Sequence, residues 1–176
     1  PWLMPALAPA LSLILFFDIV RMLFDRRTAG VALILAGVSP ATVILGATFL
    51  SQPTSRLFIA AYLWSLLRCL PNASIAFAAT AGLALGYAIN TRPVVAAVFG
   101  VAGLCLVLAT LARDHDRVRL ARPAFAFALA LAAMMALFLL WNLSLTGDPW
   151  LLPYHALQSA DRMGFGLRGE GYAPYV

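Results

Sequence analysis

The chain has 176 residues, 63% of them hydrophobic and 11% charged, and its net charge of +5 is carried by arginine with no lysine. Soluble domains hold about 25% charged residues, so this much apolar surface calls for lipid as the solvent. The arginines stand between apolar runs and not along one polar face, which argues against nucleic acid as a partner.

Taken in chain order, six apolar stretches approach the roughly 20 residues that a helix needs to cross a bilayer core. They cover 3–24, 30–50, 54–70, 74–90, 94–112 and 123–142. A helix satisfies its own backbone polar groups, which lipid cannot do. The expected fold is therefore all-α, a polytopic integral membrane protein of about six transmembrane helices. The third and fourth spans are short enough to be tilted or partly re-entrant. Asp25-Arg26-Arg27 closes the first span. Ser51-Gln52-Pro53 separates the second from the third, and Pro71-Asn72 the third from the fourth. Thr91-Arg92-Pro93 breaks the fourth from the fifth, because proline starts a helix better than it continues one. On this reading 1–142 is the membrane domain and 143–176 begins an external region.

Arginine placement sets the orientation. Arg21, Arg26, Arg27, Arg68, Arg113, Arg117, Arg119 and Arg122 fall on one side, and Arg56, Arg92, Arg162 and Arg168 on the other. The positive-inside rule makes the first side cytoplasmic. Both ends of the chain then face outward, with Trp141, Trp150 and Tyr154 in the interfacial belt. The first residue is Pro1, so an internal piece of a longer protein is expected.

Four places could carry chemistry. In "GLALGYAINTRPVVAAVFG", Gly82 and Gly86 stand four apart and permit close approach of another helix. Arg92 then sits between two apolar spans, where it either binds an anionic ligand such as a phosphate or snorkels to lipid headgroups. In "GVSPATVILGATFLSQPTS", Ser39-Pro40 is placed to kink the second span. Ser51 and Gln52 form either a polar lip on an external cavity or a plain helix end. In "WNLSLTGDPWLLPYHALQSADRMGFGLRGEGY", Thr146-Gly147-Asp148-Pro149 is a turn signal. His155 and Asp161 can move protons there, or the segment is a solvated loop. Asn142-Leu-Ser fits a glycosylation sequon close to the membrane. Asp18, inside the first span, has Arg21 at i+3 as an ion-pair partner. His115 lies between two aspartates without a second ligand cluster, and neither Cys69 nor Cys105 belongs to a CxxC pair, so metal and disulfide readings are weak.

The order of three stretches resembles the polytopic C-type membrane glycosyltransferases of family 39, relatives of the protein O-mannosyltransferases and the lipid A aminoarabinose transferases. They are "SPATVILGATFLSQPTSRLFIAAYLW", "AGLALGYAINTRPVVAAVFG" and "LLWNLSLTGDPWLLPYHALQSADRMGFGLRG", spanning most of 37–169. The resemblance implies an enzyme that takes a sugar from a polyprenyl-phosphate carrier, with inversion at the anomeric carbon. Transfer would go to a lipid, glycan or protein acceptor on the outer side of the cytoplasmic membrane. It implies a catalytic acid in the first external loop. No acidic residue precedes Asp18, so that residue is expected upstream of this chain. Arg92 would contact the carrier phosphate and Gln52 would line the external cavity, although the family often has histidine there. Asp148, Tyr154 and His155 would shape its rim. No cofactor is implied beyond the donor, the need for a divalent metal stays open, and oligomeric state is not implied. A transporter or flippase-like protein and a non-catalytic membrane scaffold are the alternatives. The absence of a midplane charge pair and of an inverted repeat speaks against transport.

Overall fold

The computed structural model describes residues 4–46, 51–113 and 117–151. Every regular element among them is helical. The helices are α1 (Met4–Leu23), α2 (Arg26–Val38), α3 (Pro40–Gly46), α4 (Ser51–Asn72), α5 (Ile75–Thr91), α6 (Pro93–Arg113) and α7 (Ala121–Thr146). One turn of 3-10 helix, Arg117–Leu120, precedes α7. The chain divides into two compact units, Pro1–Met134 and Met135–Val176. By length and composition, Pro93–Ala112 and Ala121–Thr146 are able to cross a membrane, and α5 is apolar but shorter.

Three boundaries differ from the sequence expectation. The single helix expected over 30–50 is two helices. Ser39 between them has φ −58° and ψ 128°, the extended conformation that a following proline imposes. The first helix pair also changes hands earlier than hydropathy suggests. Asp25 does not merely close α1; it caps α2, accepting hydrogen bonds from the Arg27 N–H at 3.0 Å, the Thr28 N–H at 3.3 Å and the Thr28 hydroxyl. An aspartate is among the best residues at that position because it satisfies helix donors that have no partner. Finally, Ser51-Gln52-Pro53 is not a separator but the first turn of α4, where a missing proline N–H breaks no helical bond. Pro71 lies in the last turn of the same helix, and the Arg119 guanidinium donates to its carbonyl at 2.6 Å.

In the first unit the core is built from small and aromatic side chains. Ala81, Ala84, Ala88 and Ala96 pack with Ile59, Tyr62, Leu66 and Leu85. Phe58 stacks on Tyr87 with centroids 3.9 Å apart, and Trp64 meets Phe77 edge-on at 5.5 Å. Rising numbers on α4 meet falling numbers on α5, so these two helices are antiparallel. α5 and α7 run parallel: Gly82 faces Phe127 and Ala130, and Gly86 faces Leu131 and Met134. The glycine pair thus serves the close approach expected of it. Large apolar side chains point outward, among them Val94, Val98, Val101 and Leu108 on α6 and Phe125 and Leu129 on α7. Apolar outside and small residues within is the arrangement of helices solvated by lipid.

Candidate functional site

Arg92 sits at a junction. Thr91 turns its hydroxyl back to the Ala88 carbonyl at 3.0 Å. The Arg92 N–H closes α5 on the same carbonyl at 2.8 Å, and the Arg92 carbonyl accepts the Ala96 N–H at 3.0 Å to open α6. With φ −149° and ψ 82°, the residue leaves helical geometry for one step, and Pro93 restarts the helix. The backbone is therefore fixed on both sides of a half-buried guanidinium. No ion pair holds that cation among the described residues.

The antiparallel register brings the start of α4 to the same end as Arg92. From the Phe58–Tyr87 stack, one turn outward on each helix reaches Ser55 and Asn90. One turn further on α4 lies Gln52. Gln52 Oε1, Ser55 Oγ and Asn90 Oδ1 are all buried without a hydrogen-bond partner among the described residues. Buried polar atoms are normally paired, because a lost bond costs about 1–3 kcal/mol. Ser65, Arg68 and Asn142 also hold such atoms, but the three at this end of α4 and α5 lie within two helical turns of one another and beside Arg92. Arg56, on the same turn as Ser55, donates to the Thr42 hydroxyl of α3 at 2.9 Å. Sequence reasoning singled out Gln52 and Arg92 here but missed Ser55 and Asn90. Their signal was spacing, since Ser55 follows Gln52 by three and Asn90 precedes Arg92 by two.

Asp148 belongs to the second unit, at the end of α7. Gly147 has φ +76° and its N–H bonds the Leu143 carbonyl at 3.0 Å, a left-handed helix stop that glycine adopts freely. Asp148 Oδ1 then accepts the Trp150 N–H at 2.8 Å, which makes an Asx turn. Thr146 Oγ ties the same turn, donating to Asn142 O at 2.9 Å and accepting from Asp148 N at 3.2 Å. Asn142 is 1% exposed and its amide donates to Pro149 O at 3.1 Å, so the sequon asparagine is occupied internally. Tyr154, His155, Asp161 and His115 lie outside the described residues.

Asp18 pairs with Arg21 at 2.6 Å as expected. It also accepts from Trp64 Nε1 at 2.7 Å and from Arg68 at 2.8 Å, both on α4. This network joins α1 to α4, which one-dimensional spacing does not reveal. A cavity of about 400 Å³ lies between α4, α5, α6 and α7, lined by Tyr62, Leu66, Leu85, Gly103 and Phe127 among others. Its nearest walls are roughly 8–10 Å along the helix axes from Asn90 and Ser55, so it is separate from the polar end. Among the described residues no three metal-binding side chains gather.

Comparison with known families adds the deciding observation. The profile described as dolichyl-phosphate-mannose-protein mannosyltransferase matches residues 2–144. The chain belongs to that family. Mannosyltransferase family membership brings membrane glycosyltransferase chemistry in general, and the matched segment takes in α1 to α6, nearly all of α7, Arg92 and Gln52. Comparison with curated proteins and with solved structures gave no significant match.

Proposed function

We propose that this chain is the part of a membrane glycosyltransferase that receives a polyprenyl-phosphate sugar at the outer face of the cytoplasmic membrane. The sugar passes to a lipid, glycan or protein acceptor. The membrane domain makes six passes, with α2 and α3 together forming one of them and both chain ends outside. Arg92 contacts the carrier phosphate. As the glycosidic bond to the carrier breaks, negative charge grows on the phosphate, and a fixed guanidinium stabilises it more in the transition state than in the ground state. Gln52 lines the external donor site, and Asp148, Tyr154 and His155 serve the entry of sugar or acceptor. The catalytic acid comes from a part of the parent protein upstream of this chain.

The observation that carries the reading is the pairing of a backbone-fixed arginine with three unpartnered buried acceptors on the adjoining turns of α4 and α5. Sugar hydroxyls are donors suited to such acceptors. The test uses the full-length parent in membranes. Polyprenyl-phosphate sugars are added and free carrier phosphate is followed. Arg92→Ala is expected to abolish most release and weaken donor binding, while Arg92→Lys keeps part of both. Equal donor binding in all three proteins would remove Arg92 from the site.

A further inference from the structure

The apolar cavity among α4, α5, α6 and α7 takes no part in the transfer proposed above. Its walls include Leu66, Leu70, Leu104, Val107, Leu120 and Phe127. At about 400 Å³ it falls within the roughly 300–1,000 Å³ of ligand-sized pockets. Its rim distinguishes it from plain lipid contact. Leu70 and Leu120 both line the cavity, and their chain neighbours Pro71 and Arg119 are joined by a 2.6 Å hydrogen bond. That bond engages one of the five guanidinium donors and holds an exposed cation next to the lining residues Leu70 and Leu120. The surrounding stretch 113–122 carries four arginines against two aspartates. An apolar slot ending at a fixed cation is complementary to an amphiphile with an anionic head.

We infer that this cavity binds one acyl chain of an anionic phospholipid whose phosphate is held by Arg119. The lipid comes from the leaflet at the arginine-rich end of the bundle. The inference rests on the membrane character of the chain and on no step of sugar transfer. Arg119 contributes both charge and a fixed position, because its bond to Pro71 ties it to the end of α4. Lysine would supply the charge without the planar fork that lets one group bind carbonyl and phosphate together.

The experiment places the full-length parent in phosphatidylcholine vesicles doped with spin-labelled phosphatidylglycerol or spin-labelled phosphatidylcholine. The motionally restricted fraction is read by electron paramagnetic resonance. Wild type is expected to favour phosphatidylglycerol about fivefold, the scale of one cation near an anionic surface. Arg119→Gln should abolish that preference and Arg119→Lys should retain part of it. Ala124→Phe, which narrows the cavity from its α7 wall, should remove the excess restriction of phosphatidylglycerol over phosphatidylcholine. Arg119→Gln alters an exposed side chain and so remains informative if Ala124→Phe fails to fold. Equal restriction of the two lipids in wild type, or a preference that survives Arg119→Gln, would overturn the inference. So would displacement of the restricted phosphatidylglycerol by equimolar polyprenyl phosphate, which would assign the slot to the carrier. Loss of donor turnover in Arg92→Ala with lipid preference intact would leave this site standing by itself.

Discussion

The contact between α5 and α7 gives a sharp test of how this bundle is packed. A Cβ added at Gly82 would collide with the Phe127 carbonyl oxygen and stand 3.0 Å from Ala130 Cβ and 3.1 Å from Leu131 N. Two of those three atoms are backbone, so no rotamer change relieves the clash and α7 must move. Overpacking of this kind costs about 1–3 kcal/mol. Alanine offsets part of that, since it favours a helix interior over glycine by about 0.5–1 kcal/mol. Gly82→Ala should therefore destabilise the fold by about 1–2 kcal/mol. Gly30 in α2 supplies the control, because nothing lies within 4 Å of its added Cβ. There the same substitution should stabilise by about 0.5–1 kcal/mol. The two variants then differ by about 2 kcal/mol, roughly thirtyfold in the ratio of folded to unfolded protein. Denaturant titration in one detergent, followed by tryptophan fluorescence, measures the difference. If Gly82→Ala gains stability as Gly30→Ala does, the close helix approach described here is wrong.

Other expectations follow from single features. Asp18→Asn keeps an acceptor for Trp64 but leaves Arg21 and Arg68 without their counter-charge; a loss of about 1–3 kcal/mol is expected, and a wild-type unfolding midpoint would show that apolar contact alone holds α1 to α4. The Asp25 carboxyl is held below its ordinary value of 3.8 by the Thr28 hydroxyl and then by the Arg27 N–H. Because the folded value is the lower one, the cap supports α2 above 3.8 and is lost as the pH falls through that value and below it. Helical chemical shifts of Arg26 to Thr28 should fade over that acid range in wild type, and the same acid fading in Asp25→Ala would rule the cap out. Asn142 should stay unmodified when the protein is made in a glycosylating host, since its amide is buried and bonded to Pro149 O; a glycan at that residue on the folded protein would contradict the turn.

Hydropathy made most of the helices legible, because a lipid-solvated helix needs a long apolar run and little else. It erred where local chemistry overrides composition. Ser39-Pro40 is too short a signal to change an average over twenty residues, yet the pre-proline restriction alone divides α2 from α3. Asp25 reads as a charge that ends a span, whereas its side-chain geometry starts the next helix. At the candidate site the sequence singled out Arg92 and Gln52 by type and position. Ser55 and Asn90 escaped because nothing about a serine or an asparagine in a helix says that its oxygen is buried without a partner. That fact depends on the register between α4 and α5, which the Phe58–Tyr87 stack sets. Trp64 and Arg68 were missed as partners of Asp18 for the same reason, being 46 and 50 residues away in the chain.

The three partners of Asp18 also imply a schedule during synthesis. Arg21 emerges almost with it, whereas Trp64 and Arg68 belong to a helix made later. At about 5–20 residues per second, that delay lasts roughly 2–10 s. Through this interval α1 carries an acid neutralised only by its own next turn, a poor state for settling deep in hydrocarbon. Until α4 is made, the acid lacks the Trp64 and Arg68 partners that it has in the folded chain. The charge that looks out of place in an apolar segment is completed only by a helix made 46 to 50 residues later, so α1 and α4 reach their final environment together.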